Sequence, residues 1–199
     1  MRHGQTEFNR MGIVQGSGVD SNLNDFGRQQ AAAFFKAYQH IPFDKVYTSV
    51  LRRSIESVQS FIDRGIPHEK FTGLNEISWG SKEGQPITPE EDEYYHYMLD
   101  EWRKGNTSLS IKGGESPEDV KDRMAPVIDY IKSKGEEKNI LICMHGRAIR
   151  ILLCYLLKLS LDKMDQFEHI NMGLYLLEYS NDKFTIVLSN DVAHLRSLS

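Results

Sequence analysis

Short apolar runs alternate along the chain with amphipathic segments. Residues 43–48 and 139–144 have strand length, and 139–144 is almost wholly apolar, as in strands covered on both faces. Residues 70–74 are a further short strand candidate, and 174–178 with 183–188 predict a hairpin. This alternation is typical of an α/β fold, and we expect a three-layer α/β/α sandwich around a mainly parallel sheet.

Capping residues mark the predicted helices between these runs. Residues 24–39 begin with an asparagine N-cap and have apolar positions at helical spacing. Ser116 and Asp119 form the capping-box pattern at the start of another helix. Helices are also predicted over 51–63 and from Gly146 onward.

Composition limits the size and the partners of the protein. The 199 residues are 40% hydrophobic and 26% charged, which fits a single domain over 1–199 with a small, partly helical cap insertion at about 80–115. The net charge of −4 leaves no surplus of cations for nucleic acid or an anionic membrane, so neither is expected as a partner. A small phosphorylated substrate needs only a few local cations. The oligomeric state stays open, and a homodimer is compatible with the sequence.

The two cysteines lie inside apolar runs. Cys143 and Cys154 are therefore predicted to be buried free thiols, as in a cytoplasmic protein. No apolar run approaches the roughly 20 residues of a membrane helix, and no signal peptide is recognised at the start of the chain.

Residues suited to phosphate binding occur at the start of the chain and after predicted strands. Arg2 and Arg53 each offer a planar fork of donors to charged phosphate oxygens. His3 adjoins Arg2, and His145 follows a predicted strand, just before the Gly146 that opens a helix. Ligands gather at the carboxyl ends of parallel strands, and helix N-termini attract anions. We therefore expect these side chains to share one pocket.

A series of motifs runs in order through nearly the whole chain. They are Arg2-His3-Gly4, Gln15-Gly16, Ser49-Val50-Leu51-Arg52-Arg53, Leu74-Asn75-Glu76, Gly114-Glu115-Ser116, Met144-His145-Gly146 and Asn190-Asp191. In these motifs the chain resembles the histidine phosphatase superfamily, also called the phosphoglycerate mutase-like family. The resemblance implies a phosphatase that works through a phosphohistidine and needs no metal or other cofactor.

The resemblance also implies roles for individual residues. His3 is the implied nucleophile, and Glu76 is the implied general acid and base. Arg2, Arg53 and His145 are implied to hold the phosphoryl oxygens. The implied substrate-binding positions are Thr6, Asn9, Gln15, Gly16 and Gly146.

Some neighbouring residues compete for these roles. Arg52 adjoins Arg53, but the Ser-x-Leu-x-Arg spacing selects Arg53, and Glu83 is a rival of Glu76 in the same acidic loop. A zinc site is disfavoured, because no metal-binding spacing is present and two arginines repel a divalent cation. His194 is expected to make a structural hydrogen bond near the sheet edge. The other histidines are interpreted as surface residues: His40, His68, His96 and His169.

The chain departs from the family pattern at its front. Family members carry a short apolar strand before the Arg-His-Gly triplet, near the middle of the sheet, whereas only Met1 precedes Arg2 here. Two interpretations stay open: Met1 is the last residue of that strand, or the strand is missing. In the second case Arg2 and His3 are expected to lie on a free end and to be poorly ordered.

Three functional hypotheses remain open at this point. The segment between Glu76 and His145 resembles the shorter phosphatase branch, which favours hydrolysis of a small phosphomonoester. Phosphoglycerate mutase activity is the main alternative, and a non-catalytic module that binds a phosphorylated ligand is another. Acidic residues 90–93 disfavour a second anionic group on the substrate, although a solvated helix face is the preferred interpretation of this run. Arg147 favours a second anionic group, and the sequence leaves the question undecided.

Overall fold

The computed structural model describes residues 1–86 and 88–198; Ile87, inside the predicted cap, and Ser199 lie outside the described residues. The central sheet is parallel, with the strand order β2-β1-β3. The strands are β1 (Lys45–Thr48), β2 (His68–Lys70) and β3 (Ile140–Cys143), with an antiparallel hairpin of β4 (Leu174–Ser180) and β5 (Lys183–Asp191). The predicted parallel sheet and hairpin are confirmed.

Helices connect the strands. The α-helices are α1 (Glu7–Met11), α2 (Asp25–Tyr38), α3 (Arg52–Glu56), α4 (Gln59–Asp63), α5 (Pro89–Arg103), α6 (Pro117–Ser133) and α7 (Gly146–Leu156). Short 3₁₀ helices cover Thr72–Leu74, Gly80–Lys82, Leu161–Gln166 and Ala193–Leu198. None of the helices within the described residues is both long and apolar enough to cross a membrane.

Alternate residues of the central strands face two separate cores. Val46 of β1 packs with Phe34 of α2 and Phe61 of α4. The next residue, Tyr47, belongs to a second cluster with Met124 of α6 and several residues of α7. Because successive strand residues point to opposite faces, this division places helices on both sides of the sheet. The predicted three-layer α/β/α arrangement is confirmed.

The predicted helix caps are present in the structure. The Asn24 side chain accepts a hydrogen bond from the Gly27 N–H at 2.8 Å at the start of α2. At the start of α6, Ser116 Oγ accepts from the Asp119 N–H at 3.1 Å, and the Asp119 carboxylate accepts from the Ser116 N–H at 2.8 Å. Local sequence therefore determines where these helices begin.

The Ser116 cap makes a measurable contribution to stability. Replacing Ser116 with alanine leaves an N–H of the first turn of α6 without its acceptor, and we expect the free energy of unfolding to fall by about 1 kcal/mol. Ser116→Thr keeps the hydroxyl and should lie within a few tenths of a kcal/mol of the wild type. Urea unfolding measures both, and equal stability of the alanine and threonine variants would contradict the capping role.

Two predicted elements differ from the structure. The helix predicted over 51–63 is broken into α3 and α4, because the Ser57 hydroxyl donates to the Arg53 carbonyl at 2.6 Å and accepts from the Gly4 N–H at 2.8 Å. Of the strand predicted over 70–74, only Lys70 lies in a strand, and it is the last residue of β2. After Lys70 the chain forms a 3₁₀ helix over Thr72–Leu74, and the Arg123 guanidinium donates to the Gly73 carbonyl at 2.8 Å.

The expectation of loosely held Arg2 and His3 is wrong. The His3 N–H donates to the Met144 carbonyl at 3.0 Å, and Arg2 forms a parallel bridge with Met144 beside β3. On the other side, the Arg2 N–H donates to the Gly173 carbonyl at 3.3 Å, just before β4. These two residues therefore lie between β3 and the hairpin, hydrogen-bonded on both sides. Elsewhere in the core, Cys143 and Cys154 are buried free thiols, as predicted.

Candidate active site

The residues predicted to be catalytic meet where neighbouring parallel segments end. Thr48 of β1 pairs with Cys143 of β3, and Arg2 bridges Met144, so these chain segments end side by side. The predicted catalytic residues at this edge are Arg2, His3, Arg53, Glu76 and His145. The rings of His3 and His145 are 5.2 Å apart between centroids. All of these residues are buried except Arg2, which is half-buried.

His3 is a neutral imidazole with a defined tautomer. Burial, with the charges of Arg53 and Arg2, holds the pKa of His3 well below its usual value of 6.5. His3 Nδ1 is 2.7 Å from the Gly4 carbonyl oxygen, which only accepts hydrogen bonds. Nδ1 therefore carries the proton, and the lone pair lies on Nε2. A neutral imidazole with a free Nε2 lone pair is the form required of a nucleophile.

His145 is fixed by a serine that precedes α3. His145 Nε2 is 2.7 Å from Ser49 Oγ, and the Ser49 hydroxyl also contacts Ser54 Oγ at 2.7 Å. Burial and the charge of Arg53 lower the pKa of His145 well below 6.5. When Ser49 donates to Nε2, the proton of the neutral ring lies on Nδ1, which becomes a hydrogen-bond donor.

Three buried nitrogens of this cluster have no hydrogen-bond partner within the described part of the chain. They are Nε of Arg2, Nε of Arg53 and Nδ1 of His145. Buried polar atoms without partners are rare in folded proteins, and a catalytic role or a bound ion is one explanation for them. Burial lowers the pKa of Arg2 to about 10, so its guanidinium stays charged at neutral pH. The cluster therefore offers charged and polar donors to an anion.

Glu76 occupies the N-terminus of α7. Its carboxylate accepts hydrogen bonds from the N–H groups of Arg147 at 3.1 Å and Ala148 at 2.9 Å, and from its neighbour Ile77 at 3.0 Å. The sequence suggested this helix N-terminus as a phosphate position, but the anion that its second and third N–H groups bind is Glu76 itself. The Glu76 charge also acts on both Arg2 and Arg53.

Glu83, the alternative candidate for the role of Glu76, has a structural role in a loop. Its carboxylate accepts from the N–H groups of Gly18 at 2.7 Å and Trp79 at 2.8 Å. It lies so close to Gly16 that a Cβ there would be 2.2 Å from Glu83 Oε1, so only glycine fits. The Gly16 carbonyl accepts from Arg53 Nη2 at 3.0 Å. Arg52, the other rival, is exposed and lies 3.3 Å from Asp20.

The predicted substrate-binding residues after the Arg-His-Gly triplet bind one another. Thr6 Oγ1 accepts from Gln15 Nε2 at 2.6 Å and from the Asn9 N–H at 3.1 Å. Asn9 Oδ1 accepts from the Thr6 N–H at 3.2 Å and from Asn171 Nδ2 at 3.3 Å. Asn171 Nδ2 also donates to the His3 carbonyl oxygen at 3.0 Å, so it joins α1 to the backbone of His3. Direct contact of the three side chains with a substrate stays a prediction.

Sequence reasoning missed residues that support the site. His169 is half-buried against Arg2, so its interpretation as a surface residue is wrong. His68 is half-buried too, with Nε2 2.9 Å from Thr48 Oγ1, whereas His40 and His96 are exposed. The residues next to His169 in the sequence did not indicate that it belongs to the site. For Ser49, by contrast, the Ser-x-Leu-x-Arg motif was itself the signal.

Two further side chains have structural contacts. Arg147 is buried, pairs with Asp165 and lies over the Trp102 ring, 5.7 Å from its centroid. It is therefore already engaged and is not a free cation for a second anionic group. His194 packs edge-on against the rings of Phe34 and Tyr38. Both of its ring nitrogens are buried without a hydrogen-bond partner among the described residues, so the expected structural hydrogen bond is not present. Across residues 1–86 and 88–198, no three His, Cys, Asp or Glu side chains are grouped as a metal site would require.

The neutral histidines make stability depend on pH. Above about pH 6.5 His3 and His145 are uncharged in the folded and the unfolded chain, whereas below it the unfolded chain takes up protons that the folded site resists. Stability therefore falls as the pH falls, by up to about 1.4 kcal/mol per pH unit for each histidine. Urea unfolding between pH 7.5 and 5.5 measures the slope. His3→Asn should reduce it, and an unchanged slope would contradict a depressed pKa at His3.

Comparison with known proteins identifies the family of the chain. A family model described as the histidine phosphatase superfamily (branch 1) matches residues 1–192. The chain belongs to the histidine phosphatase superfamily. The resemblance carried by the motifs is thereby confirmed.

Relatives in this superfamily include several phosphatases. “Putative phosphoserine phosphatase 2” of Hydrogenobacter thermophilus is 26% identical over 200 residues, which cover 100% of this chain and 97% of that protein. The 6-phosphofructo-2-kinase/fructose-2,6-bisphosphatase 1 of Mus musculus is 34% identical over 166 residues, 82% of this chain but only 33% of that protein. The 2,3-bisphosphoglycerate-dependent phosphoglycerate mutase of Cytophaga hutchinsonii is 29% identical over 189 residues, 91% of this chain and 86% of that protein.

A solved structure supports the fold. The alpha-ribazole phosphatase from Shigella flexneri superposes with a TM-score of 0.83 over 96% of this chain and 94% of that chain, at 22% identity. The superfamily and the phosphatase relatives confirm the expectation of an enzyme of the histidine phosphatase type.

Proposed function

We propose that this enzyme hydrolyses a small phosphomonoester through a phosphohistidine on His3. One observation carries the proposal: unpartnered nitrogens of Arg2, Arg53 and His145 lie in the same buried cluster as a neutral His3. A phosphate group supplies the charged oxygen acceptors that these nitrogens lack. The reacting phosphorus would then lie within reach of His3 Nε2.

In the first step, the Nε2 lone pair of His3 forms a bond to phosphorus, and the bond from phosphorus to the leaving oxygen breaks. The hydrogen bond from Nδ1 to the Gly4 carbonyl orients the ring and stabilises the positive charge that develops on it. Arg2, Arg53 and His145 bind the equatorial oxygens, whose charge they stabilise in the transition state.

Glu76 is proposed to move the proton. As an acid it gives a proton to the leaving oxygen. As a carboxylate it then takes a proton from the water whose oxygen bonds to phosphorus, while the bond between phosphorus and His3 Nε2 breaks and releases phosphate. The role requires a protonated Glu76 when substrate binds. The N–H groups of α7 then stabilise the carboxylate after it has lost its proton.

The test of this function is hydrolysis of p-nitrophenyl phosphate in the presence of EDTA. Since Arg2 and Arg53 supply the cationic charge, turnover should be the same with and without the chelator. Activity that disappears in EDTA and returns with a divalent cation would contradict the metal-independent mechanism. Phosphate binding without any turnover would indicate the non-catalytic binding module instead. A panel of small phosphomonoesters then defines the substrate.

Phosphoglycerate mutase activity is the second candidate, favoured by the similarity to the Cytophaga hutchinsonii mutase over most of both chains. A mutase transfers the phosphoryl group back to a bound phosphoglycerate before water reaches it. Incubation with a single phosphoglycerate isomer separates the two reactions. A mixture of the two isomers would favour the mutase, whereas release of inorganic phosphate would favour hydrolysis.

A further inference from the structure

His169 contacts the first arginine of the site through two of its atoms. Arg2 Nη1 donates to the His169 carbonyl oxygen at 2.6 Å, and His169 Nδ1 lies 3.2 Å from the same Nη1. A guanidinium only donates hydrogen bonds, so Nδ1 of His169 is the acceptor. These contacts engage Nη1 of Arg2 and leave its buried Nε without a protein partner.

We propose that His169 is a positioning residue that orients Arg2 so that Nε of Arg2 faces the phosphoryl group. The proposal rests on the phosphatase function proposed above, because it takes Arg2 to be a phosphate ligand. Without the acceptor at Nδ1, Nη1 of Arg2 is held by the His169 carbonyl oxygen alone. A single hydrogen bond fixes the direction of Nη1 less well than two, so the guanidinium can rotate and Nε no longer faces the anion in one orientation.

The position of the His169 ring explains a glycine in the second histidine motif. A Cβ on Gly146, the first residue of α7, would lie 2.9 Å from His169 Nδ1 and 3.1 Å from Cε1. The ring therefore fits between Arg2 and the start of α7. His145 immediately precedes Gly146, so this contact also fixes Arg2 relative to the second histidine of the site.

The His169 ring remains an acceptor under ordinary conditions. Burial, with the charges of Arg2, Arg150 and Arg147, lowers the pKa of His169 to about 3. The neutral ring is therefore retained over the range in which a phosphate dianion exists, and Nδ1 stays free to accept from Arg2.

Two replacements separate the hydrogen bond from simple packing. His169→Asn keeps an acceptor near the position of Nδ1, and His169→Phe keeps a ring of similar size without one. Phosphate affinity is measured by calorimetry with inorganic phosphate, together with kcat and KM for p-nitrophenyl phosphate and the melting temperature. His40→Asn, at an exposed histidine, is the matched control.

We expect His169→Asn and His40→Asn to stay within about threefold of the wild type, and His169→Phe to bind phosphate about 10- to 100-fold more weakly, as for loss of a hydrogen bond to a charged group. A phenylalanine variant that binds phosphate as well as the wild type overturns the proposal, as does equal weakening in the asparagine and phenylalanine variants. A wild-type protein that neither binds nor hydrolyses phosphate compounds would instead refute the proposed function.

A second pair of variants tests the contact with Gly146. Gly146→Ala should weaken phosphate binding in the wild type, because its Cβ displaces the ring that orients Arg2. In a His169→Ala background the ring is gone, and the same substitution should add less than about twofold, since contacting residues are not additive. Equal effects of Gly146→Ala in both backgrounds would overturn the proposed contact.

Discussion

His3→Ala is expected to lower kcat for p-nitrophenyl phosphate on the order of 10⁴-fold or more, because it removes the group that forms the covalent intermediate. Phosphate binding should survive, since the unpartnered donors of Arg2, Arg53 and His145 remain. Steady-state kinetics and calorimetry with inorganic phosphate measure the two quantities separately.

The control for this prediction is a histidine outside the site. His96 on α5 is exposed, and His96→Ala should leave both kcat and phosphate affinity unchanged. If His3→Ala kept turnover within about tenfold of the wild type, the nucleophile would have to be another group, because loss of a true nucleophile costs far more. Loss of phosphate binding as well as turnover would point to a collapsed site, which the melting temperature would reveal.

The second large effect is expected at Arg53. Arg53 is fully buried, acts electrostatically on both histidines and has an unpartnered Nε. Arg53→Ala should lower kcat/KM by about 10³-fold or more, the range found for arginines that stabilise phosphoryl transfer. Phosphate affinity should fall with it, since the charge is present in the ground state as well as in the transition state.

The neighbouring arginine provides a matched control. Arg52 is exposed and its charge partner is Asp20, so Arg52→Ala should stay within about twofold of the wild type in kcat/KM. Equal losses in the two variants would contradict the assignment of Arg53. Because Arg53 is buried, the melting temperature of its alanine variant must also be measured. Arg53→Lys tests whether a positive charge is sufficient without the planar guanidinium and its several donors.

The site was predictable where strand order alone brings motifs together. Arg53 and His145 each follow a predicted apolar strand, and parallel strands place such positions on one edge of the sheet. His3 follows only Met1, so the Arg-His-Gly motif, and not a preceding strand, indicated its place in the site. The caps at Asn24 and Ser116 were predictable for a similar reason, since the residues that form each cap are neighbours in the sequence.

Contacts between distant segments were not predictable. The break between α3 and α4 depends on Ser57, whose hydroxyl contacts Gly4 from another part of the chain. The 3₁₀ helix after Lys70 depends on Arg123 of α6. His169 joins the site only because its segment lies beside Arg2 in the folded protein. Such contacts between distant segments cannot be predicted from the periodicity or the motif spacing of the sequence.

The central claim is a phosphoryl group on His3, and direct mapping of the phosphorylated residue tests it. Wild-type protein turning over p-nitrophenyl phosphate is quenched in base, which preserves phosphohistidine, and its peptides are analysed by mass spectrometry. The account predicts one phosphoryl group on the peptide that contains His3 and its loss on treatment with acid. A phosphoryl group on another residue, or turnover in the same mixture with none on His3, would contradict it.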